Sequence, residues 1–197
     1  RKIKGKDEII KIKKACEITD EILENFIKDI KKFKTESEAA AFLIYETRLR
    51  ECELAFDPIV ASGKNAAVPH HAPSGKIQKG FCVVDFGVKY EGYCSDVTRT
   101  FFIGKPNKEE IKIYEELLKI QEDSIMKVIA GNKIAPLYNS ARKILGEKFI
   151  HSLGHGMGIE VHEDPNISYS NKDSFKEGMV VTIEPGVYVP GKYGIRI

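Results

Sequence analysis

Along residues 7–31, Ile9, Ile12, Cys16, Leu23, Phe26 and Ile30 recur every three to four positions among lysines and glutamates, the pattern of an amphipathic helix with one buried face. Thr35 followed by Glu38 forms a capping box, and Ala39, Phe42, Leu43 and Leu49 carry a second helix to about Arg50. Residues 54–61 change to strand character around Asp57-Pro58. Ser62-Gly63-Lys64-Asn65 then breaks the pattern ahead of a polar loop that holds His70 and His71. From Phe81 to Ile103, Val, Phe, Tyr, Thr and Ile dominate two arms interrupted at Tyr90-Glu91-Gly92, which predicts two strands joined by a short turn. Asn107 with Glu110 caps a third helix whose apolar stripe runs from Ile111 to Ile129 and stops near Gly131, and a fourth runs from about Ala135 to Phe149. Residues 179–184 and 187–197 read as two strands separated by Pro185-Gly186. The order is helices, strands, helices, strands, in two halves of comparable size. It predicts an α+β domain whose strands gather into one antiparallel sheet with the helices over one face.

Each arm of the central ribbon carries an aspartate. With the hairpin centred between Tyr90 and Glu91, Asp85 lies directly opposite Asp96, their Cβ atoms roughly 5 Å apart. Two facing carboxylates on an apolar ribbon repel, so the pairing implies either a shared proton or a cation between them. A one-residue slip would spoil this pairing, and a turn at Glu91-Gly92 would produce that slip.

Composition narrows the class. The 197 residues are 42% hydrophobic, ordinary for one packed domain. Lys+Arg 31 against Asp+Glu 29 gives a net charge of +2 with the signs interspersed, which argues against nucleic acid as the main partner. The basic start, RKIKGK, reads as a solvated end. Cys16, Cys52, Cys82 and Cys94 show no Cys-x-x-Cys spacing and read as free thiols of a reducing, cytoplasmic setting, with Cys82–Cys94 the one pairing the ribbon would permit. No apolar run approaches the roughly 18 residues of a membrane span, and no leader-like segment opens the sequence, so a membrane partner is not expected.

Two further stretches carry chemistry. His151-Ser-Leu-Gly-His155-Gly-Met-Gly sets an imidazole among glycines that relieve steric crowding, and His162 follows seven residues on. Glu184 ends an apolar run, Met179-Val-Val-Thr-Ile, where a buried carboxylate is costly unless paired or metal-bound. Asp85, Asp96, His155 and Glu184 together are an oxygen-rich set with one imidazole. Such a set suits Mn²⁺, Co²⁺, Fe²⁺ or Zn²⁺ in a catalytic site better than a closed structural zinc site. Carboxylates able to bridge favour two metals.

Four spaced motifs occur in one order: VVDFG with Asp85, SDVTRTF with Asp96, HSLGHGMGIEVHEDP with His155 and His162, and TIEPG with Glu184. In these the sequence closely resembles the pita-bread metallopeptidases, and among them the Xaa-Pro dipeptidases (prolidases) and Xaa-Pro aminopeptidases. The resemblance implies the pita-bread fold, a curved antiparallel sheet with pseudo-twofold related helix pairs on its outer face. It implies Asp85, Asp96, His155 and Glu184 as ligands of two divalent ions per subunit, Mn²⁺ first, with Co²⁺, Zn²⁺ or Fe²⁺ as alternatives. It further implies that His162 and His70 contact the substrate or the tetrahedral intermediate, that Glu184 moves the proton, and that His151 and Arg196 line the substrate site.

The activity so implied is hydrolysis, by a metal-bridging hydroxide, of the bond preceding proline in a small peptide with proline second. The enzyme is expected to be a cytoplasmic homodimer. The rivals are methionine aminopeptidase, which shares the fold and ligand order, and a non-catalytic pita-bread domain that binds peptides or proteins. Residues 1–197 correspond to the metallopeptidase catalytic domain. A fifth ligand, the glutamate that follows the matched Gly-Ile-Arg-Ile, and the amino-terminal domain common in prolidases lie outside the sequence.

Overall fold

A computed structural model describes residues Arg1 to Ile197. Its first half is a helix pair followed by a strand set. Helix α1 (Lys6–Asp29) buries Ile12, Ile18, Ile22, Leu23 and Phe26, and α2 (Glu36–Leu49) buries Ala39, Ala40 and Leu43. The Thr35–Glu38 capping box forms as expected, the Glu38 amide donating to Thr35 Oγ1 at 3.1 Å. These faces pack on β2 (Ile59–Ser62), β3 (Gly80–Phe86) and β4 (Val88–Tyr90), where Val60, Cys82, Val84, Phe86 and Val88 complete the main core. The short β1 (Glu53–Leu54) pairs with β4, which in turn pairs with β5 (Tyr93–Cys94), and β3 lies between β2 and β6 (Val97–Ile103).

The second half repeats the plan. Helix α3 (Lys108–Ile125), capped by Asn107 and Glu110, and α4 (Ile134–Leu145) enclose a second core of Ile120, Ile134, Leu137, Phe149, Leu153 and Ile167. The strands here are β7 (His155–Gly156) paired with β8 (Glu163–Asn166), and β9 (Gly186–Val189) paired with β10 (Tyr193–Arg196). Phe81 of β3, Leu117 of α3, Val187 of β9 and Ile195 of β10 form a cluster that joins the halves.

The strands form four small sheets rather than the one antiparallel sheet expected, and three expectations about the strands change. The ribbon turns at Glu91-Gly92, both with positive φ (46° and 84°), and pairs Tyr90 with Tyr93 and Asp85 with Thr98. Asp96 therefore does not face Asp85. A two-residue turn of this kind needs left-handed backbone at both positions, and it matches the strand twist well enough to hold a glutamate there. The shift moves the partner of Asp85 by two residues, and Asp96 falls just ahead of β6 in the Ser95-Asp96 link, outside the strand pairing. Second, residues 179–184 form no regular strand. They run extended beside residues 153–157, with Thr182 N–H donating to the His155 carbonyl (2.8 Å) and Glu184 N–H to that of Leu153 (2.8 Å). Third, 187–197 is a hairpin turned at Pro190-Gly191-Lys192 rather than one strand. The third and fourth helices also end early, at Ile125 and Leu145. All four cysteines are free. No helix is long and apolar enough to cross a membrane.

Candidate active site

A cleft of about 610 Å³ opens between α2, the loop joining β2 to β3, and the ends of the strands. Asp85, Asp96, His155, Glu184, His70, His162 and Arg196 all line it. They come from six separate places in the sequence, brought together by the strand pairing.

His155 reaches the cleft because its chain is pressed between two others. A Cβ on Gly154 would meet the Thr182 carbonyl oxygen at 2.0 Å, and one on Gly156 would meet that of Asp164 at 2.2 Å. The glycines thus serve close backbone approach on both sides of His155, not freedom around its ring. Thr182 Oγ1 accepts from the His155 amide (3.0 Å) and donates to Glu184 Oε1 (3.1 Å), tying the histidine to the carboxylate.

His155 Nε2 lies 3.3 Å from Asp96 Oδ2 and 3.2 Å from Glu184 Oε1. Burial disfavours its charge, but the two carboxylates outweigh this and push the imidazole up to about 10. On Glu184 burial acts upward and the contact with His155 downward, with a net shift downward. Asp85 is different. Its burial, reinforced by Asp96 and Glu184, raises it to about 7 although Arg196 opposes the shift. Arg196 Nη2 donates to Asp85 Oδ2 at 2.7 Å, and Thr98 Oγ1 donates to Oδ1 at 3.0 Å. The His162 ring stacks obliquely on His155, centroids 4.3 Å apart. Its pKa is lowered by burial and by the charge of His155.

Arg196 is 3% exposed. Besides Asp85 it donates to the Pro69 carbonyl and the Tyr188 hydroxyl, both at 3.2 Å. His151 is not brought into the cleft. Its Nε2 bonds the Tyr188 hydroxyl (3.0 Å) and its Nδ1 the Ser152 carbonyl (2.7 Å), so it stands behind Tyr188, which in turn stands behind Arg196. Sequence reasoning missed Tyr188, Thr98 and Thr182. Thr98 and Thr182 lie inside the SDVTRTF and TIEPG motifs, but nothing local marks Tyr188.

A model of metallopeptidase family M24 matches residues 10–197. The chain belongs to metallopeptidase family M24. The Xaa-Pro dipeptidase of Pyrococcus furiosus is 44% identical over 205 residues, a match covering 100% of this chain and 59% of the relative. Among solved structures, prolidase from Thermococcus sibiricus aligns with a TM-score of 0.95 at 48% identity, over 100% of this chain and 56% of that one. X-Pro aminopeptidase from Thermotoga maritima aligns with a TM-score of 0.95 at 42% identity, over 100% and 58%. The chain thus spans less than two thirds of the length of these relatives. The pita-bread fold expected from the motifs is the fold of this M24 chain.

Membership of M24 implies a divalent metal cofactor, and the donors present fit one by chemistry. Three carboxylates and one imidazole line one wall, and burial together with the neighbouring carboxylates raises Asp85. No three of the chain's histidine, cysteine, aspartate and glutamate side chains are spaced as a closed ligand set. His155 and Arg196 each lie within ion-pair distance of these carboxylates.

Proposed function

We propose that the cleft is the active site of a metallopeptidase that hydrolyses the bond preceding proline in Xaa-Pro dipeptides. The observation that carries this is the convergence of Asp85, Asp96, His155 and Glu184 with His70 and His162 on one cleft. The relatives named Xaa-Pro dipeptidase and prolidase support the choice of bond. In this reading residues 1–197 are the catalytic domain of a cytoplasmic homodimer.

Asp85, Asp96, His155 and Glu184 hold two divalent ions, with Mn²⁺ the first choice. Ions held there supply Lewis acidity, polarising a carbonyl and acidifying water. The side chains do the rest. His162 projects beside His155 and donates a hydrogen bond to the oxygen of the attacked carbonyl as negative charge grows on it. Glu184 takes a proton from the attacking water and passes it to the proline nitrogen, which must leave protonated as the carbon–nitrogen bond breaks. His70, across the cleft, binds the proline end. Ala40, Ala41 and Ile44 of α2, with Phe56, provide an apolar wall that excludes water from the bound peptide.

Ala-Pro and Met-Ala-Ser offered side by side to the Mn²⁺-loaded protein test the reading, with free proline and free methionine quantified. Proline release alone is the expected result. Methionine release would move the assignment to a methionine aminopeptidase, and release of neither would leave a non-catalytic binding domain.

A further inference from the structure

Glu36, the first residue of α2, is 0% exposed, yet no lysine or arginine pairs with it. A carboxylate so enclosed is costly unless its oxygens are fully hydrogen-bonded. They are. Oε1 accepts from the Ser62 amide (2.7 Å), the Ser62 hydroxyl (2.7 Å) and the Asn65 amide group (3.1 Å). Oε2 accepts from Asn65 again (3.1 Å), from His71 Nε2 (2.7 Å) and from the Ser74 amide (3.1 Å). Burial by itself raises the pKa of Glu36, but the bonds from Ser62, Ser74 and His71 outweigh it and hold the group below its ordinary range.

Every one of these donors belongs to the segment from Ser62 to Ser74, the loop that forms one wall of the cleft. A carboxylate only accepts, so it can collect this many donors where a glutamine cannot. Around it the same loop is stitched to the start of α2: Glu36 N–H donates to the Gly75 carbonyl (3.1 Å) and Ser37 Oγ to that of Pro73 (2.9 Å). On the other side Arg196 holds the Pro69 carbonyl. His70 lies between these two anchors and lines the cleft. His71 lines it too, but its Nε2 is engaged by Glu36.

We propose that Glu36 is a positioning residue for His70. It fastens the Ser62–Ser74 loop from inside, so that His70 is presented to the peptide while His71 acts as a strut. This rests on the proposed peptidase reading for its kinetic consequence, but not for its structural one.

The test compares the wild-type full chain with Glu36→Gln and Glu36→Asp. Readouts are kcat and KM for Ala-Pro, bound Mn²⁺ per chain, and amide hydrogen exchange across residues 63–75 and across β3. In Glu36→Gln the loop should exchange about 10-fold faster or more while β3 keeps its protection. KM should rise about 10-fold or more with Mn²⁺ content unchanged, the mark of lost substrate positioning rather than a lost metal site. Glu36→Asp, which keeps the charge but shortens its reach, should recover part of both. Wild-type loop exchange together with wild-type KM in a folded Glu36→Gln protein would overturn the proposal, as would loss of Mn²⁺. Should Glu36→Gln fail to fold, His71→Gln removes a single strut, and its loop exchange and KM must both rise for the idea to stand. If the wild type releases no proline, the peptidase reading fails by itself. Loop exchange in Glu36→Gln then still decides the role of Glu36, accelerated exchange supporting the anchor and unchanged exchange sinking it.

Discussion

Arg196 Nη2 sits 2.7 Å from Asp85 Oδ2, with the two side chains 4% and 13% exposed. A guanidinium beside a candidate metal ligand is a counter-charge as well as a contact, and its remaining donors brace Thr98, Tyr188 and the loop of His70. Removing one partner of such a pair leaves the other charge buried and uncompensated, which costs about 3–5 kcal/mol. Arg196→Met should therefore lower unfolding stability in metal-free buffer by that order. Arg196→Lys, which keeps the charge and loses the fork, should fall in between. Denaturant melts of the three proteins measure this, and equal midpoints would remove Arg196 from the frame of the site.

Asp96 meets His155 from one side and Glu184 meets it from the other. Asp96→Asn preserves shape but removes the negative charge on that side. Turnover dependent on Mn²⁺ should be abolished and bound Mn²⁺ should fall, as read by elemental analysis of the dialysed protein. Full activity in this variant would refute the ligand assignment.

His162 stacks on His155 yet makes no ion pair with the carboxylates. Its assigned task is hydrogen-bond donation to the oxyanion, and loss of one such donor costs about 10²–10³ in kcat. His162→Ala should show that loss with Mn²⁺ content intact. If the metal goes with it, His162 is a ligand.

Glu36 also predicts a pH dependence of stability. Its folded-state pKa lies below the ordinary 4.5. A depressed carboxylate contributes stability above the unfolded pKa and loses it as pH falls through the folded value. The gap in unfolding free energy between wild type and Glu36→Gln should accordingly be full at neutral pH and shrink below about pH 4.5. Chemical denaturation at a series of pH values checks the sign. A gap that widens on acidification would mean that the carboxylate is not held ionised by its loop donors.

Much of the chain was legible because its signals are local. The capping boxes at Thr35–Glu38 and Asn107–Glu110 act over three residues and form where they were read. The apolar stripe of α1 buries the face it marks, whereas in the α3 stripe Leu117 is buried but Ile111, Ile125 and Ile129 stay exposed. The four candidate ligands were chosen from motif resemblance, and all four line one cleft. The ribbon register was not legible, because choosing Glu91-Gly92 as the turn requires a glutamate at positive φ, an uncommon local choice that the strands on either side enforce. Residues 179–184 are apolar enough for a strand, but they lie against the glycine-rich 153–157 segment, whose irregular backbone breaks the ladder.

What the sequence determined by itself was the helix–strand order, the helix caps and the residue types able to hold a cation. Tertiary structure alone decided that Asp85 faces Thr98 rather than Asp96, that Arg196 shares its carboxylate, that His151 stands outside the cleft behind Tyr188, and that Glu36 is no surface residue. In the sequence Glu36 is an unremarked acid at the start of a helix, where the backbone dipole already favours negative charge. Its donors come from 26 to 38 residues away. Contacts across such separations depend on how strands and loops pack, and no pattern within a few neighbouring residues encodes them.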